Sequence, residues 1–228
     1  MRKFIDRRDA GSRLGTRLAG VLDDGKAAVI GLPRGGVPVA YEVARVLHCP
    51  LDVIVVRKVG VPSHREFAMG AVAEDGVVFE DHDTVESMGV SPEQFARAMA
   101  DERMELQRRV RLYRQGQPPL KLEGKIVIIV DDGIATGASA RAACEVARAR
   151  GAARVIVATP VSSVGALERL DRVADSVVCL VRANGPFAVG AWYEDFDQTS
   201  NEEVIDDLAK ARHAQLVPAH KPTLRRAG

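Results

Sequence analysis

The sequence predicts an α/β protein: a mostly parallel, twisted sheet with helices on both faces and a small hairpin subregion. Three observations predict it. Short, continuous apolar runs alternate with segments of helical period along most of the chain, and a strand that is apolar on both sides is the mark of a parallel sheet covered by helices. Several of these runs stop at loops rich in Gly, Pro or Asp, which is where open α/β sheets place ligands. The 228 residues are 46% hydrophobic, enough to fill the core of one domain or two small ones.

Taken in order, residues 9–24 read as an opening helix with Leu14, Leu18, Val21 and Leu22 on one face. Residues 27–32 form a first buried strand, broken by Pro33-Arg34-Gly35-Gly36. Residues 37–48 follow as a helix with Val39, Val43, Val46 and Leu47 inward, and residues 51–56 as a second strand ending at Arg57-Lys58. Residues 59–68 contain Pro and Gly and no clear period, which predicts a mobile segment. Residues 69–73 and 77–80, separated by Glu74-Asp75-Gly76, read as a hairpin. Ser91 as N-cap, Pro92 in the first turn and Glu93 near the positive helix end begin a long helix to Tyr113. A polar connector at 115–124 leads to strand 126–130, a small-residue loop, helix 138–150, strand 154–159, helix 164–170 and strand 176–181. Residues 182–199 are irregular and carry most of the remaining aromatics; residues 201–213 form a last helix, and the basic tail 218–228 is expected to fray. The expected organisation is a single domain over 1–228, with a core at about 25–181 and a C-terminal part at about 182–213.

Lys plus Arg total 32 against 31 Asp plus Glu, a net charge of +1. That balance gives no general attraction to nucleic acid or to an anionic membrane. The long helix mixes Arg97, Arg103, Arg108, Arg109 and Arg111 with Glu93, Asp101, Glu102 and Glu105, the pattern of a solvated or subunit-facing helix, with a nucleic-acid surface as the other reading. The three cysteines are scattered and lack metal-ligand spacing, so they read as small buried residues of a reduced cytoplasm. No apolar run reaches the roughly 18 residues that span a bilayer, and the N-terminal residues run straight into charge without a leader pattern. A soluble, cytoplasmic protein is expected.

The most informative stretch is 127–139. The apolar run Val127-Ile128-Ile129-Val130 stops at two adjacent carboxylates, and Gly133-Ile134-Ala135-Thr136-Gly137-Ala138-Ser139 then opens an Ala-rich helix. The loop and helix N-terminus suit a phosphate, because free amides and the helix dipole both favour an anion. Asp131 and Asp132 repel that anion and instead suit hydroxyl groups or a divalent cation. A ligand with a phosphate, vicinal hydroxyls and a metal-bound group fits both halves: a phosphorylated ribose. The loop is not a nucleoside-triphosphate-binding loop of the Gly-Lys-Ser/Thr type, because that tripeptide is missing.

These residues, with Pro33-Arg34-Gly35-Gly36, resemble the type I phosphoribosyltransferases over roughly residues 27–181. The resemblance implies the fold of that family, with a hood in the C-terminal part. It implies that Asp131 and Asp132 hold the ribose hydroxyls of phosphoribosyl diphosphate (PRPP), directly or through Mg²⁺ bound partly through water. Ala135, Thr136, Gly137, Ala138 and Ser139 would bind the 5′-phosphate. Arg34, Gly35 and Gly36 would bind pyrophosphate, in a loop that in the family often holds a non-proline cis peptide; taken alone, Gly-Gly after a strand is also an ordinary tight turn. Arg57-Lys58 resembles the start of the mobile catalytic loop in adenine-type members, where basic residues neutralise pyrophosphate and closure excludes water; His64, Arg65 and Glu66 lie on it. Trp192 and Tyr193 fall where the family places its hood and would stack on a base, or else form a small satellite core. Residue 135 is Ala where hypoxanthine-guanine enzymes carry a proposed general base, so Glu66 or Glu74 becomes the candidate for proton transfer. Gly133 stands where a bulkier apolar residue is more usual. The activity implied is Mg²⁺-dependent transfer of the phosphoribosyl group from PRPP to a nitrogenous, nucleobase-like acceptor, within nucleotide metabolism and purine salvage, by a homodimer. The alternatives are a catalytically silent PRPP- or nucleotide-binding regulator and a hydrolase of ribose phosphates.

Overall fold

The structure is a computed structural model that describes residues 3–20, 26–62, 64–185 and 188–216, with the backbone alone at 65, 66, 215 and 216. In chain order it runs α1 (Arg7–Ala19), β1 (Ala27–Gly31), α2 (Gly36–Leu47), β2 (Leu51–Val53), β3 (Val56–Val61), β4 (His64–Ala73), β5 (Val78–Glu80), α3 (His82–Ser87), α4 (Pro92–Arg114), β6 (Ile126–Val130), α5 (Ala138–Ala149), β7 (Arg154–Ser163), α6 (Val164–Leu170), β8 (Ser176–Ala183) and α7 (Asn201–Leu216).

Five strands form a parallel sheet in the order β2-β1-β6-β7-β8. Their continuous apolar character follows from having helices on both sides, and the period-2 geometry of a strand sorts the side chains between them. Val29, Ile128, Val130 and Ile156 join the core under α1, α2 and α7, where Leu14, Val43 and Leu208 are fully buried. Their neighbours Ala28, Ile30, Val127, Ile129 and Val157 face the other way, into a core with Ala143, Val146 and Leu170 of α5 and α6. The α/β class read from the apolar runs is the one observed. Among the described residues no helix is long and apolar enough to cross a membrane.

The long helix starts where its cap residues place it: Gln94 N donates to Ser91 Oγ (3.3 Å) and Ser91 N to Gln94 Oε1 (2.9 Å), a reciprocal capping box. The structure departs from the sequence reading in the segment 51–68. That region is not one strand followed by a mobile segment. β2 stops at Val53, the Val55 amide donates to Glu74 Oε1 (2.8 Å), and the chain leaves the parallel sheet. β3, β4 and β5 then form a separate antiparallel three-stranded sheet. Register shifts on either side of Gly60 spoil the alternation that would have shown β3 as a strand. The short helix α3 was not expected from the sequence; Asp81 caps it by accepting from Thr84 N (3.3 Å) and Thr84 Oγ1 (3.0 Å). β7 and β8 extend beyond their predicted ends, pairing Val161 with Val181 and Ser163 with Ala183. α1 ends at Ala19; Val21, Leu22 and the tail 218–228 lie outside the described residues.

Candidate functional site

The register of the sheet assembles the site. Gly31 pairs with Val130, and Val130 with Ala158, so β1 and β6 end side by side. Leu32 N then donates to Val130 O (2.9 Å) and Asp131 N to Ala158 O (3.3 Å), which carries the loops 33–36 and 131–139 outward together. The Pro33–Arg34 peptide is cis, which the sequence did not show. The two glycines are what lets the loops abut. A Cβ at Gly36 would lie 2.7 Å from Val130 O and 3.0 Å from Asp131 Cα, and a Cβ at Gly35 would run into the Asp132 carboxylate. Gly-Gly after β1 is therefore a point of close approach, facing the acidic pair.

Asp131 and Asp132 are partly covered. Asp132 N donates to Asp131 Oδ1 (3.0 Å), and Tyr193 donates its hydroxyl to Asp132 O (2.5 Å). Burial holds both carboxyls above their ordinary value. Asp131 is held well above it, because the neighbouring charge of Asp132 adds to desolvation, with the Lys58 ammonium acting in the opposite sense. At Asp132 the guanidinium of Arg7 offsets part of the burial. An acidic pair that is short of counter-charge suits hydroxyl donors and a cation. Among the described residues no group of three or more His, Cys, Asp or Glu is arranged to hold a metal ion; the acidic pair offers a cation two carboxylates.

Beyond the carboxylates, residues 133–140, Asp131 and Lys58 line a cavity of about 110 Å³. Gly137, at φ +83°, turns the chain into α5 without a side-chain cap. The loop is fixed from behind through its carbonyls: Ser162 Oγ donates to Ile134 O (3.0 Å), Ser163 Oγ to Ala135 O (2.8 Å) and Arg169 Nε to Thr136 O (3.2 Å). Ile134 N is spent on Val161 O (2.9 Å). None of these bonds uses the amides of Ala135, Thr136 or Gly137, and the helix dipole of α5 adds positive potential. The arrangement is a cradle with the chemistry to hold an anion, beside an acidic pair whose chemistry suits hydroxyl groups or a cation. Thr136 is exposed and Ser139 half-buried at its rim.

Other sequence-predicted residues are placed differently. Arg57 and Lys58 are split by the alternation of β3: Lys58 reaches the cradle, whereas Arg57 pairs with Glu102 of α4 at 2.7 Å. Arg34 is half-buried in the 33–36 loop, and its charge acts on Tyr113 of α4. Tyr193 is 2% exposed, with the Phe4 ring at 5.4 Å and the Phe196 ring at 4.8 Å. Its ring is thus taken up by a satellite core and its hydroxyl props the acidic loop, so it has no open face for a base. Trp192 is half-buried against the same cluster. In that region Val189 packs on Gly133, and a Cβ at Gly133 would collide with the Val189 isopropyl group; this is why no bulkier residue stands there. Glu74 is not a proton-transfer residue of this site. It is 5% exposed and bonded to Arg114 Nη1 (2.6 Å), Arg150 Nη2 (2.9 Å) and the Val55 amide. His64 sits exposed on β4, its ring 6.3 Å from that of Phe67. The side chains of Arg65 and Glu66 lie outside the described residues.

The sequence reading missed Arg7. From the first turn of α1, its Nε donates to Asp132 Oδ2 (2.8 Å), its Nη1 to Asp197 O (2.7 Å), and its guanidinium stacks 3.9 Å from the Phe196 ring centre. One side chain thereby ties the acidic pair to the C-terminal segment. No local pattern signals it, since its carboxylate partner is 125 residues away.

A parallel sheet whose strands end at an acidic pair, an anion cradle and an abutting glycine loop defines a class. Residues 14–195 match the phosphoribosyl transferase domain, and the chain belongs to that family. It is 49% identical over 212 residues to two Mycobacterium tuberculosis proteins, Rv0571c and MT0597, which carry provisional phosphoribosyl transferase names. The match covers 92% of this chain and 47% of each of them, so the chain spans about half the length of these relatives. The crystal structure of TT1426 from Thermus thermophilus is similar at a TM-score of 0.78 and 43% identity, over 92% of this chain and 99% of that one.

Proposed function

We propose that this chain transfers the 5-phosphoribosyl group of PRPP to a nitrogenous, nucleobase-like acceptor and releases pyrophosphate. The observation that carries the reading is the juxtaposition of three parts in one crevice: the 133–140 cradle, the Asp131–Asp132 pair and the Gly35-Gly36 backbone pressed against it. The spacing suits a 5′-phosphate, a ribose and a pyrophosphate in succession. In this reading the amides of 135–139 and the hydroxyls of Thr136 and Ser139 bind the phosphate. Asp131 and Asp132 accept the 2′- and 3′-hydroxyl protons. Arg34 and the Gly35-Gly36 backbone receive the pyrophosphate, and Lys58 faces the negative charge that grows as it departs. The acceptor nitrogen forms its bond to C1 as the C1–oxygen bond breaks, the electron pair leaving with pyrophosphate. Most of the rate then comes from positioning and from charge neutralisation of the leaving group.

The acidic pair fits Mg²⁺ in chemistry and in number: two hard oxygen donors short of counter-charge, with the remaining positions for substrate oxygens and water. When bound, Mg²⁺ supplies further neutralisation of the pyrophosphate. Arg57, held by Glu102, anchors the β3–β4 hairpin to α4. The setting we propose is cytoplasmic nucleotide metabolism, with purine salvage tested first and a homodimer as the assembly.

The test is pyrophosphate release with PRPP, Mg²⁺ and a panel of bases. Release with at least one base is expected, and Asp131→Asn with Asp132→Asn should lower it at least about 100-fold while circular dichroism is retained. Near-normal rates in the double variant would remove the acidic pair from the mechanism. One observation favours a second reading: residue 135 is Ala, and Glu74 is locked in ion pairs, so neither can take the acceptor's proton. PRPP binding without release for any base would identify a PRPP-sensing regulator; release without any base would identify a hydrolase.

A further inference from the structure

A second cavity, of about 500 Å³, lies between the C-terminal half of α4, the end of β4 and the turn at Glu74–Gly76. It shares no lining residue with the 133–140 cradle. Its size is that of a site for a small organic ligand. Leu106 and Val110 of α4 and Val72 of β4 give it an apolar wall.

Its polar lining is cationic. Arg103, Arg111, Arg114 and Arg150 face it, against the carboxylates of Glu74 and Asp75. Those carboxylates are already used: Glu74 by Arg114 and Arg150, Asp75 by Arg150 at 2.5 Å. Arg103 and Arg111 stand eight residues apart on one face of α4, and no hydrogen bond or ion pair among the described residues engages either side chain. Arg114 is 6% exposed, yet its Nε is a buried donor without a hydrogen-bond partner. That atom has almost no accessible surface, so the guanidinium groups free to meet a ligand are those of Arg103 and Arg111. Guanidinium groups in excess are suited to phosphate, and the apolar wall suits the body of a nucleoside.

We propose that this cavity is a second binding site, for a phosphorylated small molecule of nucleotide size. Val72 in its wall pairs across the strand with Arg57, next to the Ala71–Lys58 pair, so the cavity lies one residue along the β3–β4 ladder from Lys58.

The test uses 8-bromo-AMP as probe on the full chain. In soaked crystals, anomalous scattering from bromine should place the probe between Arg103 and Arg150. In calorimetric titration, Arg103→Glu with Arg111→Glu should weaken one class of AMP sites at least about tenfold, equivalent to about 1.4 kcal/mol, with unfolding temperature unchanged because both side chains are exposed. Bromine found only over residues 131–139, or in neither place, would overturn the proposal, as would AMP affinities unaltered by the double substitution. Neither readout involves turnover, so the outcome is independent of whether the proposed reaction is observed.

Discussion

Arg7→Met is the perturbation that most directly tests how the acidic pair is held. Arg7 and Asp132 have side-chain exposures of 12% and 15%, so solvent screens their ion pair only weakly. A hydrogen bond to a charged group at 2.8 Å contributes about 1.5–3 kcal/mol, and the stack on Phe196 at 3.9 Å about 0.5–1 kcal/mol. The loss on substitution should therefore be about 2–4 kcal/mol near pH 8, within the range for breaking a buried pair. The loss should also depend on pH. The folded-state value of Asp132 is already raised by burial, so its protonated form favours the fold, and that contribution is lost as pH rises through the folded value. Without Arg7 the folded value climbs further and the variant loses more stability on the way to pH 8. Urea unfolding of parent and variant near pH 8 and near pH 5 should show a gap that is widest at the higher pH. Arg7→Lys, which keeps the charge but not the planar stack, should fall between them. A loss under about 0.5 kcal/mol, or one equal at both pH values, would refute the argument that Arg7 supplies the counter-charge of this pair.

Two further outcomes are expected. Glu74→Gln should lower stability by about 3 kcal/mol or more, because it leaves Arg114 and Arg150 without their shared buried carboxylate, while pyrophosphate release by the folded fraction persists; loss of turnover at full stability would return Glu74 to the catalytic step. Cys144 is buried and its thiol is pushed up to about 12, so a thiol-specific reagent near pH 8 should modify it only as fast as the protein unfolds. Half-buried Cys49 and Cys179 should react first, and equal rates for all three would contradict the packing of α5.

Much of this protein was legible because its signals are local. Strand 126–130 and the loop that follows are contiguous, and the change from unbroken apolar residues to two carboxylates and then small residues is itself the chemistry of an anion cradle beside an acidic pair. Ser91, Pro92 and Glu93 announce the start of α4 in the same way, since a cap is satisfied within one helical turn. Segments whose structure depends on partners far along the chain were not legible. The β3–β4 hairpin is held by cross-strand bonds around a register shift at Gly60, which breaks the period the eye looks for. Arg57 and Lys58 are adjacent in sequence, and only the pleat of β3 shows that one turns to α4 and the other to the cradle.

The aromatic pair Trp192-Tyr193 was the least legible feature, because composition shows that a ring is present but not whether its faces are free. Phe4 and Phe196 enclose Tyr193, and its hydroxyl supports the main chain at Asp132. By itself the sequence determined the parallel core and the two-part crevice, since apolar period and loop chemistry are properties of consecutive residues. Only the tertiary structure decided which charges serve that crevice. Arg7 reached it from the other end of the chain and Glu74 was withdrawn from it, because ion pairing in a folded protein follows distance and burial in space rather than separation along the chain.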